Sequence, residues 1–427
     1  MQPRPRSLSP RLARTLVLAL LATLFGLLAG CDQLRSNEGQ RIDADWQRKS
    51  LVDGHLARWL AVAPTETGLF RTAVDRNWTP KAQQPGDLTG QSRLIYAMAM
   101  GYEVTRDKRY LDAALRGADF LLTHFQDPLH GGFFYRVSPE GKVVAGHKNT
   151  YGHAFALFAL SHLYRVTKDE RYRTAALATW QTIDRSLRDA QGGFRGDAPR
   201  DFTLGAPGNR SQNPVMHMFE ALLALVDATQ DPAARAGATS VGNFVVYKLL
   251  QGQPDGSAFI PEWYDAQWKP IQAKDQGGYI DLGHQFEWSH LLLGAESRGL
   301  SAIFPQAAER VLAYALKLGY DEIDGGAFNR AFADGSVDKG KFWWQQAECL
   351  RALQAAAAAS GKKDLWRRYE QTLALVRDQF IDAERGGWFF SLKKKCRENG
   401  CPEEQPDPYH MTGMHLAAMQ WAQGARQ

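Results

Sequence analysis

The chain has 427 residues, 44% hydrophobic and 23% charged, a composition that excludes a disordered or fibrous protein and allows a large buried core. Its formal charge is +5, but of 51 basic residues four, Arg4, Arg6, Arg11 and Arg14, lie before the expected cleavage point, leaving 47 against 46 acids. So near-neutral a balance excludes a nucleic-acid partner bound through a basic surface.

The same four arginines open the chain. An apolar run from Leu16 to Leu28 follows, then Ala29-Gly30-Cys31. This is the pattern of a secretory signal, and the run is short for a membrane span. Leu27-Leu28-Ala29-Gly30-Cys31 resembles a bacterial lipobox, which makes Cys31 the expected lipidated N-terminus. Asp32 after it resembles an inner-membrane retention signal. The expected organisation is a signal peptide over 1–30, a polar tether over 31–45 and one domain over 46–427. The expected location is the bacterial cell envelope, as a periplasmic lipoprotein.

Beyond the tether, helical periodicity dominates and strand alternation is rare. Amphipathic helices are predicted over 46–61, 91–105, 109–125, 149–166, 170–188, 213–229, 232–251, 284–298, 303–319, 341–359, 363–380 and 408–423. Short Asp/Lys-rich links such as Thr105-Arg106-Asp107-Lys108 favour antiparallel neighbours. Longer links carry a repeated glycine pair followed by an aromatic: Gly131-Gly132-Phe133, Gly192-Gly193-Phe194, Gly325-Gly326-Ala327-Phe328 and Gly386-Gly387-Trp388. Such self-similarity predicts a repeat architecture, six helical hairpins closed into an all-α (α/α)6 barrel.

Even-numbered helices, such as the one holding Ala154-Phe155-Ala156-Leu157-Phe158, have little polar face and belong inside. Their starts then converge at one mouth. At those starts stand Arg93, Tyr151 with His153, His217 with Glu220, His284 with Glu287, Trp343 and Trp344 with Glu348, and His410. His284 and Glu287, like His217 and Glu220, are three residues apart and share a helix face. His153 sits on an apolar face and reads as a satisfied core histidine, and His290 as packing.

Histidines and acids without metal-ligand spacing on one helix point to proton transfer. Imidazole at a helix N-terminus is expected to stay neutral and able to act as a base. Glu220 and Glu287 would orient imidazoles or hold substrate hydroxyls, and Arg93 would polarise a carbonyl or enediolate oxygen. Trp343, Trp344 and Trp288 offer flat faces for a sugar ring. A base and an acid on opposite faces of an α-hydroxy aldehyde epimerise C2, and moving the proton from C2 to C1 isomerises aldose to ketose. Neither needs a redox cofactor, and no cofactor or metal is expected.

Together the stretches Arg93-Leu94-Ile95-Tyr96, Lys148 to Phe155, Asn213 to Ala221, Gly283 to Trp288, Lys341 to Glu348 and Tyr409-His410 resemble the N-acylglucosamine 2-epimerase superfamily. The resemblance spans roughly residues 46 to 423. It implies an (α/α)6 barrel and a metal-independent sugar epimerase or isomerase, of the mannose isomerase or cellobiose 2-epimerase type among others. It also implies catalytic roles for Arg93, His217, His284 and His410, with His284 and His410 as the acid/base pair. Tyr151, Glu220, Glu287, Trp343, Trp344 and Glu348 are the expected substrate-binding residues.

Of the cysteines, Cys349 reads as a buried thiol, and Cys396 with Cys401 as a loop-closing disulfide. The expected partners are a small carbohydrate and, through Cys31 alone, a membrane. A homodimer is left open. A glycoside hydrolase or polysaccharide lyase on the same toroid is the alternative, since fold does not fix function. A sugar-binding lipoprotein is the third.

Overall fold

The computed structural model describes residues 42–424 apart from 83, 206–207 and 395–403. The expected signal with Cys31, most of the tether, and Cys396 and Cys401 lie outside the described residues. Twelve helices are present among the described residues. They are α1 (Ala44–Leu51, running on through Val52–Leu56 and Ala57–Val62), α2 (Leu88–Thr105), α3 (Lys108–Phe120), α4 (Thr150–Thr167), α5 (Glu170–Ser186), α6 (Gln212–Thr229), α7 (Pro232–Phe244), α8 (Leu282–Leu293), α9 (Ile303–Gly319), α10 (Trp343–Ser360), α11 (Lys363–Leu375) and α12 (Tyr409–Ala422). The helix predicted over 284–298 ends early at Leu293. Gly294 caps it, and Glu296–Arg298 forms a separate single turn closed by Gly299 in the left-handed region.

Even-numbered helices form the inner ring and odd-numbered ones the outer ring. Each inner helix packs on the next, α2 on α4, α4 on α6, α6 on α8, α8 on α10, α10 on α12, and α12 back on α2. The reason is composition. The inner helices bury nearly every side chain of their first turns, whereas α3 and α11 keep charged residues on one side. The architecture is the (α/α)6 barrel that the hydrophobic pattern predicted. Among the described residues no helix is long and apolar enough to cross a membrane.

Links from inner to outer helices are tight, and Arg106, Lys168 and Gln230 close them with positive φ. Links from outer to inner helices are long and carry the glycine pairs. Gly131, Gly132, Gly325, Gly326, Gly386 and Gly387 all have positive φ, which a side chain rarely adopts. Each pair closes a turn: Asp127 N–H donates to Gly132 O at 2.9 Å, Asp321 to Gly326 O at 2.9 Å and Asp382 to Gly387 O at 3.0 Å. The next residue then bridges back to the preceding outer helix, Phe133 to Gln126, Ala327 to Tyr320 and Trp388 to Ile381.

Short strands then fix where each inner helix begins. Gly86–Asp87 pairs with Arg136–Val137, Lys148–Asn149 with Asp197–Ala198, Arg210–Ser211 with Trp263–Tyr264, and Ile280–Asp281 with Arg330–Ala331. The last residue of each leading strand, Asp87, Asn149, Ser211 or Asp281, is also the N-cap, its side chain accepting from the helix backbone. Four residues past the cap, a buried polar side chain holds the backbone of a neighbouring link. Gln91 accepts from Phe70 N, Gln285 from Ile260 N, and Gln346 from Ala327 N. His153 occupies the equivalent place in α4, with Nε2 accepting from Phe133 N at 2.9 Å and Nδ1 2.7 Å from Asn149 O. It is a satisfied structural histidine. Cys349 is a free, buried thiol.

Candidate active site

The inner-helix starts meet around one hollow. Arg93 Nη2 donates to the Tyr151 hydroxyl at 2.7 Å, and the Tyr151 ring stands 5.0 Å from His217. His217 Nδ1 lies 4.0 Å from Glu287 Oε1. Trp344 packs 4.9 Å from His284 and 5.5 Å from His410. Tyr409, beside His410, closes the circle with its ring 4.8 Å from the Arg93 guanidinium. Histidines from α6, α8 and α12 therefore share one site.

Each of the three imidazoles gives Nδ1 to a buried carboxylate. His217 pairs with Glu220 Oε2 at 3.1 Å, His284 with Glu262 Oε2 at 2.8 Å, and His410 with Glu348 Oε1 at 2.7 Å. An ionised carboxylate only accepts, so Nδ1 carries the proton and Nε2 is the nitrogen left to react. Each carboxylate is itself held. Glu220 accepts the Tyr409 hydroxyl proton. Glu262 accepts from Gln212 Nε2 at 2.9 Å and Ser211 Oγ at 3.1 Å. Glu348 accepts from Arg351 Nη1 at 3.0 Å.

Of the two i, i+3 pairs, His217 and Glu220 are hydrogen-bonded, whereas Glu287 does not bond His284. The partner of His284 is Glu262, from the long link before α8. The strand Trp263–Tyr264 pairs with Arg210–Ser211 and carries Glu262 to the start of α6, where Gln212 N donates to its carbonyl at 3.1 Å. No local pattern marks this residue, because its place depends on pairing between two distant links. Arg351, Asp407 and Tyr409 were missed likewise. Asp407 accepts from Arg93 Nη1 at 2.9 Å and so aims the guanidinium.

Glu287 stands alone. It is fully buried and neither oxygen is hydrogen-bonded. Burial, reinforced by the charges of Glu348 and Glu220, raises it well above the usual carboxylate range, which favours its protonated form. Burial alone would also raise Glu348, but Arg351, His290 and His410 hold it well below that range.

The imidazoles differ in charge, which corrects the expectation that all stay neutral at helix starts. Burial lowers His217 to about 4, so it is neutral. Burial would lower His284 too, but Glu262 and Asp281 outweigh it and raise it to about 10. A contact charge at 2.8 Å dominates the diffuse field of a helix terminus. Arg93 remains a cation because Tyr151 and Asp407 outweigh its burial.

The tryptophans divide. Trp344 is half-buried and presents a face between His284 and His410. Gly283 makes room for it, since a Cβ there would stand 2.8 Å from the Trp344 ring. Trp343 is buried edge-on against His410 and Phe390. Trp288 is wholly buried, and its Nε1 donates to Gln212 Oε1 at 2.5 Å, so it orients an amide and offers no sugar platform. His290, read from sequence as packing, bonds Glu348 at 2.8 Å.

Two groups bring ligand atoms within 4.8 Å of one another, His217 with Glu220 and Glu287, and Glu287 with Glu348 and His410. In both, the imidazole and a carboxylate already satisfy each other through a hydrogen bond.

The chain matches the model of the N-acylglucosamine 2-epimerase family over residues 68–414. It belongs to that family. The cellobiose 2-epimerase of Eubacterium cellulosolvens is 25% identical over 396 residues, covering 86% of this chain and 96% of that one. The D-mannose isomerase of Marinomonas mediterranea is 25% identical over 386 residues, covering 86% and 95%. The structure of cellobiose 2-epimerase from Spirochaeta thermophila superposes with a TM-score of 0.79 at 23% identity, covering 89% of this chain and 96% of that one. This member of the family is an enzyme of the sugar epimerase and isomerase class.

Proposed function

We propose that the protein moves the C2 proton of a reducing sugar between histidines, giving the C2 epimer or the corresponding ketose. One observation carries the reading: three imidazoles on three inner helices, each with Nδ1 on a buried carboxylate, share one hollow. In the open-chain aldose, His410 takes the C2 proton through Nε2 and Glu348 stabilises the imidazolium that forms. The electron pair moves into an enediolate whose O1 lies toward Arg93. His284, already protonated through Glu262, returns a proton to the opposite face of C2 and so inverts it. Return at C1, with the O2 hydroxyl proton passing to O1 as the C2 carbonyl forms, gives the ketose. Protonated Glu287 donates to a substrate hydroxyl, and Trp344 covers one sugar face.

Hydrolysis needs two carboxyl groups flanking the bond. Glu220, Glu262 and Glu348 are each committed to an imidazole, which leaves Glu287 alone among the four glutamates of the site, and this favours proton transfer. Cellobiose and mannose, from the names of its relatives, are the first sugars to try, with N-acylated hexosamines. Incubation in deuterated water, followed by proton NMR, should show loss of the C2 proton signal and a new epimer or ketose. Cleavage of oligosaccharides without interconversion would replace this reading with hydrolysis.

The proposed location is the cell envelope, through a lipid on Cys31. Support comes from the basic start, the apolar run and Leu28-Ala29-Gly30-Cys31. Metabolic labelling with palmitate that persists in Cys31→Ser would refute it.

A further inference from the structure

Behind His410 the hydrogen bonds do not stop at Glu348. Glu348 Oε1 takes His410 Nδ1 at 2.7 Å, and Oε2 takes His290 Nε2 at 2.8 Å. Arg351 Nη1 lies 3.2 Å from one oxygen and 3.0 Å from the other. The carboxylate is fully buried. Being ionised, it accepts from both rings, and His290 must therefore carry its proton on Nε2. Three side chains from three inner helices, α8, α10 and α12, meet on one carboxyl group.

We propose that His290 is a positioning residue of the reaction: its Nε2–H fixes the Glu348 carboxylate so that Glu348 holds His410 in the Nδ1–H tautomer with Nε2 directed at the sugar. This rests on the proton-transfer reading above but concerns a residue that touches no substrate. Arg351 cannot replace His290, because its guanidinium is shared with Glu220, 3.9 Å from Nη2. With one donor gone, Glu348 would be free to turn toward Arg351 and away from His410, and the hold on the His410 Nδ1–H tautomer would loosen.

The charged and titratable groups facing the triad are Glu287 on α8, Arg351 on α10, Glu220 on α6, Tyr409 on α12, and Tyr96 on α2 opposite Arg351. None of these is changed by substitution at 290. The experiment compares wild type, His290→Phe and His290→Gln, with histidine rings labelled for nitrogen NMR and with steady-state rates. In wild type, His410 should show the Nδ1–H tautomer and His290 the Nε2–H tautomer. In His290→Phe the His410 ring should lose its single Nδ1–H tautomer and show a mixture of the two, since the carboxylate that fixes it is no longer held. kcat should fall about tenfold with KM within about twofold. His290→Gln keeps a donor and should restore both.

An unchanged His410 tautomer and unchanged kcat in folded His290→Phe would overturn the proposal, as would the opposite tautomers in wild type. Failure of the wild type to exchange any sugar proton would instead overturn the assigned reaction, since the NMR arm needs no substrate. Should His290→Phe not fold, the wild-type tautomers and the Gln variant still decide.

Discussion

Glu262 and His284 are 22 residues apart in the chain, and their side chains meet at 2.8 Å. This contact gives the site a proton to donate. With His284 raised to about 10, the imidazolium persists through neutral pH and deprotonates only in the alkaline range. Glu262→Gln removes the charge that outweighs burial, so the His284 titration should fall to near or below its ordinary value of about 6.5. The alkaline limb of kcat/KM should therefore shift from near pH 10 to neutral or lower. At pH 8 the variant should lose roughly 10²-fold in kcat, the scale of one positioned acid. A pH–rate profile checks this, and an unmoved alkaline limb would exclude His284 as the donor.

His284→Ala and His410→Ala should each abolish detectable turnover, a loss of roughly 10³-fold or more. Both are surface-lining groups of a hollow, so circular dichroism and the melting temperature should stay near wild type. Wild-type rates in either folded variant would remove that histidine from the mechanism.

Gly283 decides whether Trp344 can lie beside His284. A Cβ there would stand 2.5 Å from Gln345 Cγ and 2.8 Å from the Trp344 ring. Gly283→Ala should displace the indole and raise KM about fivefold, as should Trp344→Ala, because an aromatic face contributes about 1 kcal/mol beyond area burial. Steady-state kinetics on the sugar found active would test it, and an unchanged KM in both variants would deny Trp344 a part in binding.

Far from the chemistry, Lys148 Nζ donates to Asp127 Oδ2 and Gly131 O, both at 2.9 Å, with both side chains fully buried. Lys341 repeats the device on Asp321 and Gly325. Lys148→Met should strand a buried carboxylate and a carbonyl, leaving Arg200 as the cation on Asp127 among the described residues. A loss of about 3 kcal/mol in denaturant unfolding is expected, with kcat of the folded fraction nearly unchanged.

His217, lowered to about 4 by burial, carries a proton more readily in the unfolded chain than in the folded one. Its neutral burial costs nothing above pH 6.5. As pH falls toward 4, protonation favours the unfolded state, and stability should decline by at most about 3 kcal/mol from this group. Chemical denaturation at pH 7 and pH 4 should show a smaller difference in His217→Asn.

The sequence by itself determined the barrel and the address of the site. Alternation of nearly all-apolar helices with charged-faced ones assigned inner and outer rings, because a helix without a polar side has to be covered all round. The glycine pairs marked the turns, because left-handed backbone excludes most side chains. With those two facts, residues at the starts of even helices had to share a mouth, and Arg93, Tyr151, His217, His284, Trp344, Glu348 and His410 do. Which acid serves which imidazole was decided only in three dimensions. Spacing of three along a helix permits a contact but cannot outbid a carboxylate delivered by strand pairing from another link, as Glu262 is. Nor could local sequence assign charge. His217 and His284 open helices in the same way, yet one is held neutral by burial and the other kept protonated by a carboxylate at contact distance, and Coulomb energy in a dry site depends on distances that only the closed ring sets.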